Sequence, residues 1–159
     1  MTYKTLNNLL ISCEKTDITE LYKYDYDLVM LFYDIFKDKP FTEIPDTAFM
    51  FMEIDSWCGT SMRGGVWQYY EINSEEQGKS ERVAEYLKSH GGYDDMADIY
   101  AFGIHDYQKY AEISEYPEEW LDKANKIDDW IYENEYYIYQ WKKDLISGHK
   151  NEILKLAEK

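Results

Sequence analysis

The chain has 159 residues, with 32 Asp plus Glu against 17 Lys plus Arg, a formal net charge of −15, and an aromatic share of 18%. That length suits one domain with a real core, and so many aromatics exclude a disordered acidic tail. The charge argues against non-specific attraction to DNA or to an anionic membrane, and the longest charge-free stretch, Thr5 to Cys13, is nine residues against the ~20 of a membrane span.

From the N-terminus, Leu10-Ile11-Ser12-Cys13 has the look of a lipoprotein cleavage box. Only Leu9, Leu10 and Ile11 are apolar in a row there, whereas an export signal needs about 7–15 such residues. The two cysteines, Cys13 and Cys58, form no CxxC and no paired Cys/His spacing. Buried thiols in a cytoplasmic protein are therefore expected.

From Ile18 the apolar positions Leu21, Leu28, Val29, Phe32, Ile35 and Phe36 recur at helical spacing, while Glu20, Asp27 and Asp34 share the opposite face. Asp17 with Glu20 offers a capping box, and Pro40 ends this helix after Asp38. A second helix opens at Pro45 and runs towards Trp57, with Gly59 and Gly64-Gly65 as punctuation. A short aromatic helix follows from Val66 to Ile72, and Asn73-Ser74 reads as a turn. Val83, Ala84 and Leu87 mark the next helix, ending near Gly91-Gly92. Met96 to Ile104 marks a longer one, which Asp94, Asp95 and Asp98 open as N-terminal carboxylates. Pro117 starts a helix through Trp120, Leu121, Ala124, Ile127 and Ile131, and Leu145 to Leu156 carries the last. Strand signals are weak: Tyr136 to Trp141 is strand-like in composition but sits between helical patterns. The expectation is an all-α fold, residues 1–159 as a single compact acidic domain of seven or eight helices.

The charge is unevenly placed. Residues 41–78 carry −6 and residues 111–135 carry −7, so two blocks hold nearly all of it. Within the second, Glu115, Glu118, Glu119 and Asp122 recur at i+3 and i+4, followed by Asp128 and Asp129.

Motifs that carry chemistry are absent. His90, His105 and His149 never fall at i+3 or i+4 from one another, and neither HExxH nor the DxDxDG pattern of a calcium loop occurs. There is no GxSxG elbow, and neither cysteine has a neighbouring histidine. No cofactor, no metal and no catalytic residue is expected. Arg63-Gly64-Gly65 could present backbone N–H groups to an anion, but two glycines also permit a tight turn with close packing. Trp57, Trp67, Trp120 and Trp130 lie on apolar stripes and read as core. Tyr136, Tyr137 and Tyr139 suit core and interface about equally.

The stretch Arg63-Gly64-Gly65-Val66-Trp67-Gln68-Tyr69-Tyr70-Glu71-Ile72-Asn73-Ser74 resembles the NGGF-x-Q-[FY]-[FY]-x-N-[ST] signature of a bacterial all-helical family typified by a neisserial DNA-mimic protein. Ala84, Leu87, Gly91-Gly92 and Ala97 are similar to its next two helices, and Leu121-Asp122 with Ile127-Asp128-Asp129-Trp130 to its later acidic helix. The similarity spans roughly residues 46–155. Arg63 and Val66 depart from the family's Asn and Phe, whereas Gly64, Gly65, Gln68, Tyr69 and Asn73 are kept. These five read as structural, the glycines permitting close approach and Gln68 and Asn73 tying turns to backbone groups. The resemblance supports the fold more than the function, and it implies that at least one relative presents carboxylates in place of DNA phosphates to a transcription regulator.

A duplex carries one charge per ~1.7 Å of axis, whereas carboxylates at i+3 or i+4 on one helix fall ~5–6 Å apart. Two or three acidic helices side by side are needed. The leading expectation is a non-catalytic binding protein whose acidic face comprises Glu71, Glu75, Glu76, Glu112, Glu115, Glu118, Glu119, Asp122, Asp128 and Asp129. Its partner would be a basic DNA-binding protein or regulator, with no direct nucleic-acid or membrane binding. One alternative is an immunity protein that neutralises a basic toxin or nuclease. The other is a small-ligand binder or enzyme using the region from Arg63 to Gln68, for which a deep polar pocket would be the mark.

Overall fold

A computed structural model describes residues 3–76, 78–110 and 115–156. Eight α-helices follow one another among them: α1 (Tyr3–Lys15), α2 (Tyr22–Phe36), α3 (Asp46–Gly64), α4 (Trp67–Ser74), α5 (Lys79–Ser89), α6 (Asp94–Tyr110), α7 (Glu118–Glu133) and α8 (Glu135–Leu156). Two 3₁₀ turns, Ile18–Glu20 and Phe41–Glu43, complete the regular structure, and no strand occurs among the described residues. The fold is all-α, as the periodicity predicts. None of these helices is long and apolar enough to cross a membrane.

Several local expectations need correction. A helix that the periodicity does not announce, α1, precedes the others: Leu6, Leu10 and Cys13 are buried at i, i+4 and i+7. Asp17 does cap, but it caps the 3₁₀ turn, accepting the Thr19 N–H at 3.0 Å. Glu20 reaches forward to Lys23 at 2.9 Å instead of back to the cap, so the long helix opens only at Tyr22. Gly59 lies inside α3, and Asn73-Ser74 form the last turn of α4. Tyr136 to Trp141 is helical, because Ile138, Trp141, Lys142 and Leu145 repeat at three and four residues and bury one face.

The described chain divides into two compact units, residues 1–52 with 136–159, and residues 53–135. In the first, Phe32 meets Phe51 edge to face at 5.8 Å, and Phe41 stacks on Phe49 at 5.9 Å. Lys142, 2% exposed, is paired with Asp25 at 2.6 Å and lies over the Phe51 ring at 5.2 Å. The thiol of Cys13 is buried here, and burial pushes its pKa up to about 12.

The second unit is organised around aromatic side chains. Trp57 is fully buried and contacts the rings of Tyr100 at 5.4 Å and Trp130 at 6.3 Å. Its indole N–H donates to the Tyr70 hydroxyl at 3.0 Å, and Tyr70 in turn donates to the Tyr100 carbonyl at 2.7 Å. Trp57 and Trp120 are core residues as expected, while Trp67 and Trp130 are half-buried.

Candidate functional site

The segment that carries the family resemblance is a helix–turn–helix joint in the second unit. Helix α3 ends at Gly64, and Gly65 takes φ +103°, a conformation that side chains with a Cβ rarely adopt. A Cβ on Gly64 would come within 2.9 Å of Gln68 Nε2, and one on Gly65 within 2.8 Å of Trp67 Cδ1. The double glycine therefore lets Gln68 and Trp67 fold back over the turn. Val66, fully buried, donates its N–H to Asp128 Oδ1 at 2.9 Å, and the Ser61 hydroxyl donates to the same oxygen. Asp128 thus satisfies an N–H at the start of α4 from α7, the role a capping side chain normally has from within its own chain segment.

Tyr69 and Asn73 point the other way, into the core. The Tyr69 hydroxyl donates to Glu53 Oε2 at 2.9 Å and lies 2.7 Å from the Tyr100 hydroxyl. Asn73 Nδ2 donates to the same Glu53 oxygen at 3.2 Å, and Lys79 pairs with Glu53 Oε1 at 3.2 Å. Asn73 therefore holds a buried carboxylate, not a turn's backbone as its position in the sequence suggests. Burial pushes the hydroxyls of Tyr69, Tyr70 and Tyr100 above their ordinary pKa, so all three remain neutral donors. Glu53 is the residue the sequence reading missed, although Phe49, Met50 and Trp57, its helical neighbours at i−4, i−3 and i+4, are all apolar and mark its position as buried.

Around the joint, space is filled by the protein's own side chains. Arg63 Nε donates to the Gly59 carbonyl at 2.9 Å. The depression lined by Val66, Tyr70, Gly103, Trp120, Lys123, Ala124 and Ile127 leaves no room for a water molecule. Among the described residues, no group of three His, Cys, Asp or Glu is placed to hold a metal ion.

The acidic residues distribute as follows. Glu71, Glu75, Glu76, Glu115, Glu118, Glu119, Asp122 and Asp129 are exposed, and Glu112 lies outside the described residues. Asp128 is half-buried and committed to Ser61 and Val66; burial raises its carboxyl pKa above the ordinary value. Glu76 contacts Lys79 at 3.4 Å and Glu119 contacts Lys123 at 3.8 Å, both exposed pairs of small energetic weight. The Trp67 and Tyr116 rings meet at 5.4 Å, and Tyr116 stacks on Trp120 at 4.8 Å. This contact sets the start of α4 beside the residues that lead into α7. Glu71 follows Trp67 by four residues and so lies on the face of α4 that carries this contact.

Charge divides unequally between the units. Residues 53–135 hold 20 Asp plus Glu against 7 Lys plus Arg, a net of −13, while the remaining residues hold 12 against 10. No family model, no curated protein and no solved structure matches the chain.

Proposed function

We propose that the protein is a non-catalytic acidic decoy, a DNA mimic that occupies the basic surface of a cytoplasmic DNA-binding protein or regulator. The observation that carries this reading is the confinement of −13 of the −15 charges to residues 53–135. A charge kept for solubility alone has no reason to avoid the other unit. Support also comes from the ring contact between Trp67 and Tyr116, which joins the start of α4 to the residues that lead into α7. Adjacent acidic helices are what the charge density of a duplex demands of a helical protein. The resemblance of the Arg63–Ser74 segment to the DNA-mimic family points the same way. Attraction of this kind is long-range and falls steeply with salt.

The test is reversal of four charges, Glu115→Lys, Glu118→Lys, Glu119→Lys and Asp122→Lys together. Two of these residues stabilise the first turn of α7 through the helix dipole, so the helical circular dichroism signal is measured alongside binding. The expected result is a folded variant that no longer retains a basic DNA-binding protein from a lysate of the source cells. A folded variant that retains the same protein as strongly as the unaltered chain contradicts the proposal. Retention of a toxic nuclease in place of a regulator would assign the same surface to immunity.

A further inference from the structure

Helix α7 carries more than a scatter of charge. Glu118, Asp122, Asp129 and Glu133 are all exposed, and at 100° per residue they fall within an arc of about 60°. Spaced four, seven and four residues apart, they form a straight row about 22 Å long on one helix face. Trp120, Ala124, Ile127 and Ile131 are buried on the opposite face. The two edges of the row differ. Leu121, 40% exposed, and Tyr132, 85% exposed, stand along one edge about 16 Å apart. The exposed Lys126 stands along the other.

Mimicry of phosphates accounts for the carboxylates but not for apolar side chains beside them, since a phosphate backbone offers a protein no such contact. Tyrosine on a surface is a typical anchor for a protein partner. The spacing narrows that partner further. Cations matching the row must stand at about 0, 6, 16 and 22 Å, which four- and seven-residue steps of a second α-helix reproduce. One face of a β-strand places side chains about 6.8 Å apart and misses the third position by about 3 Å.

We propose that α7 is the docking face for a basic amphipathic helix whose Lys or Arg residues recur at steps of four, seven and four, with apolar side chains along one edge of that row. This deepens the decoy reading and rests on it: the partner's basic surface includes such a helix, and Tyr132 and Leu121 fix its orientation.

The experiment uses the full chain and two labelled helical peptides of identical composition, followed by fluorescence anisotropy at low and high salt. The matched peptide carries Lys at steps of four, seven and four with Leu along one edge; the other has the same residues permuted off that row. The matched peptide should bind about tenfold more tightly than the permuted one, as loss of one central anchor typically costs. Tyr132→Ser should weaken matched-peptide binding about fivefold while leaving its salt dependence unchanged. Glu118→Gln with Asp129→Asn should flatten that salt dependence. Equal affinity for the two peptides, or no effect of Tyr132→Ser, overturns the docking proposal and leaves the decoy reading standing. Failure to bind either peptide at low salt overturns both.

Discussion

Asp128 Oδ1 accepts the Val66 N–H at 2.9 Å, joining the middle of α7 to the start of α4 across 62 residues of sequence. Through this bond an acidic residue that looks like part of a charged surface instead holds the glycine turn in place. Removing it leaves the N–H of a fully buried residue and the Ser61 hydroxyl without their acceptor. Asp128→Ala should therefore destabilise the fold by ~1–3 kcal/mol in chemical denaturation.

Asp128→Asn keeps an acceptor oxygen and discards the charge, which gives a pH test. Burial raises the folded-state pKa of Asp128 above its unfolded value. Its contribution to stability is then fully present below the unfolded pKa and is lost as pH rises through the folded one. The asparagine variant has no such titration. Its stability relative to the unaltered protein should rise between about pH 4 and pH 7. A difference that stays constant or falls over that range would show that the hydrogen bonds outweigh burial.

Gly103 in α6 faces the Tyr70 ring so closely that a Cβ there would overlap it. Tyr70 cannot withdraw without giving up its bonds to Trp57 and Tyr100. Gly103→Ala should cost at least ~2 kcal/mol although alanine is the better helix former. Pairing it with Tyr70→Leu should recover part of the loss, and the double-mutant cycle would measure the coupling.

The pair Lys142–Asp25 makes a contrasting prediction in the other unit. Both side chains are buried, so Lys142→Met alone should destabilise by ~3–5 kcal/mol by leaving the Asp25 carboxylate without its cation. Replacing both, Asp25→Leu with Lys142→Met, should restore most of that stability, because the desolvation of two charges is then avoided. Thermal melts of the single and double variants decide it.

Helical periodicity, proline starts and glycine stops are legible in the sequence, and they locate α2 to α7 and the later part of α8. They do not announce α1, although Leu6, Leu10 and Cys13 stand at helical spacing there. At Tyr136–Trp141 β-prone residue types hide the start of α8, although the run sits between helical patterns. For the candidate site, the glycine pair was readable as a tight turn because φ preference is a local property. What Asp128 and Glu53 do was not readable, since each takes its meaning from partners remote in sequence. Asp128 differs from Asp129 only in which side of α7 it occupies. Glu133 was open to inclusion, standing four residues beyond Asp129.

The most direct measurement is capture on the immobilised full chain from a lysate of the source cells at low salt, followed by elution with duplex DNA. A basic DNA-binding protein, held at low salt, released by the duplex and absent from the column bearing the four charge reversals, is the predicted result. If the duplex releases nothing, or the proteins it releases bind the charge-reversed chain equally well, the carboxylates do not stand in for phosphates and the account is wrong.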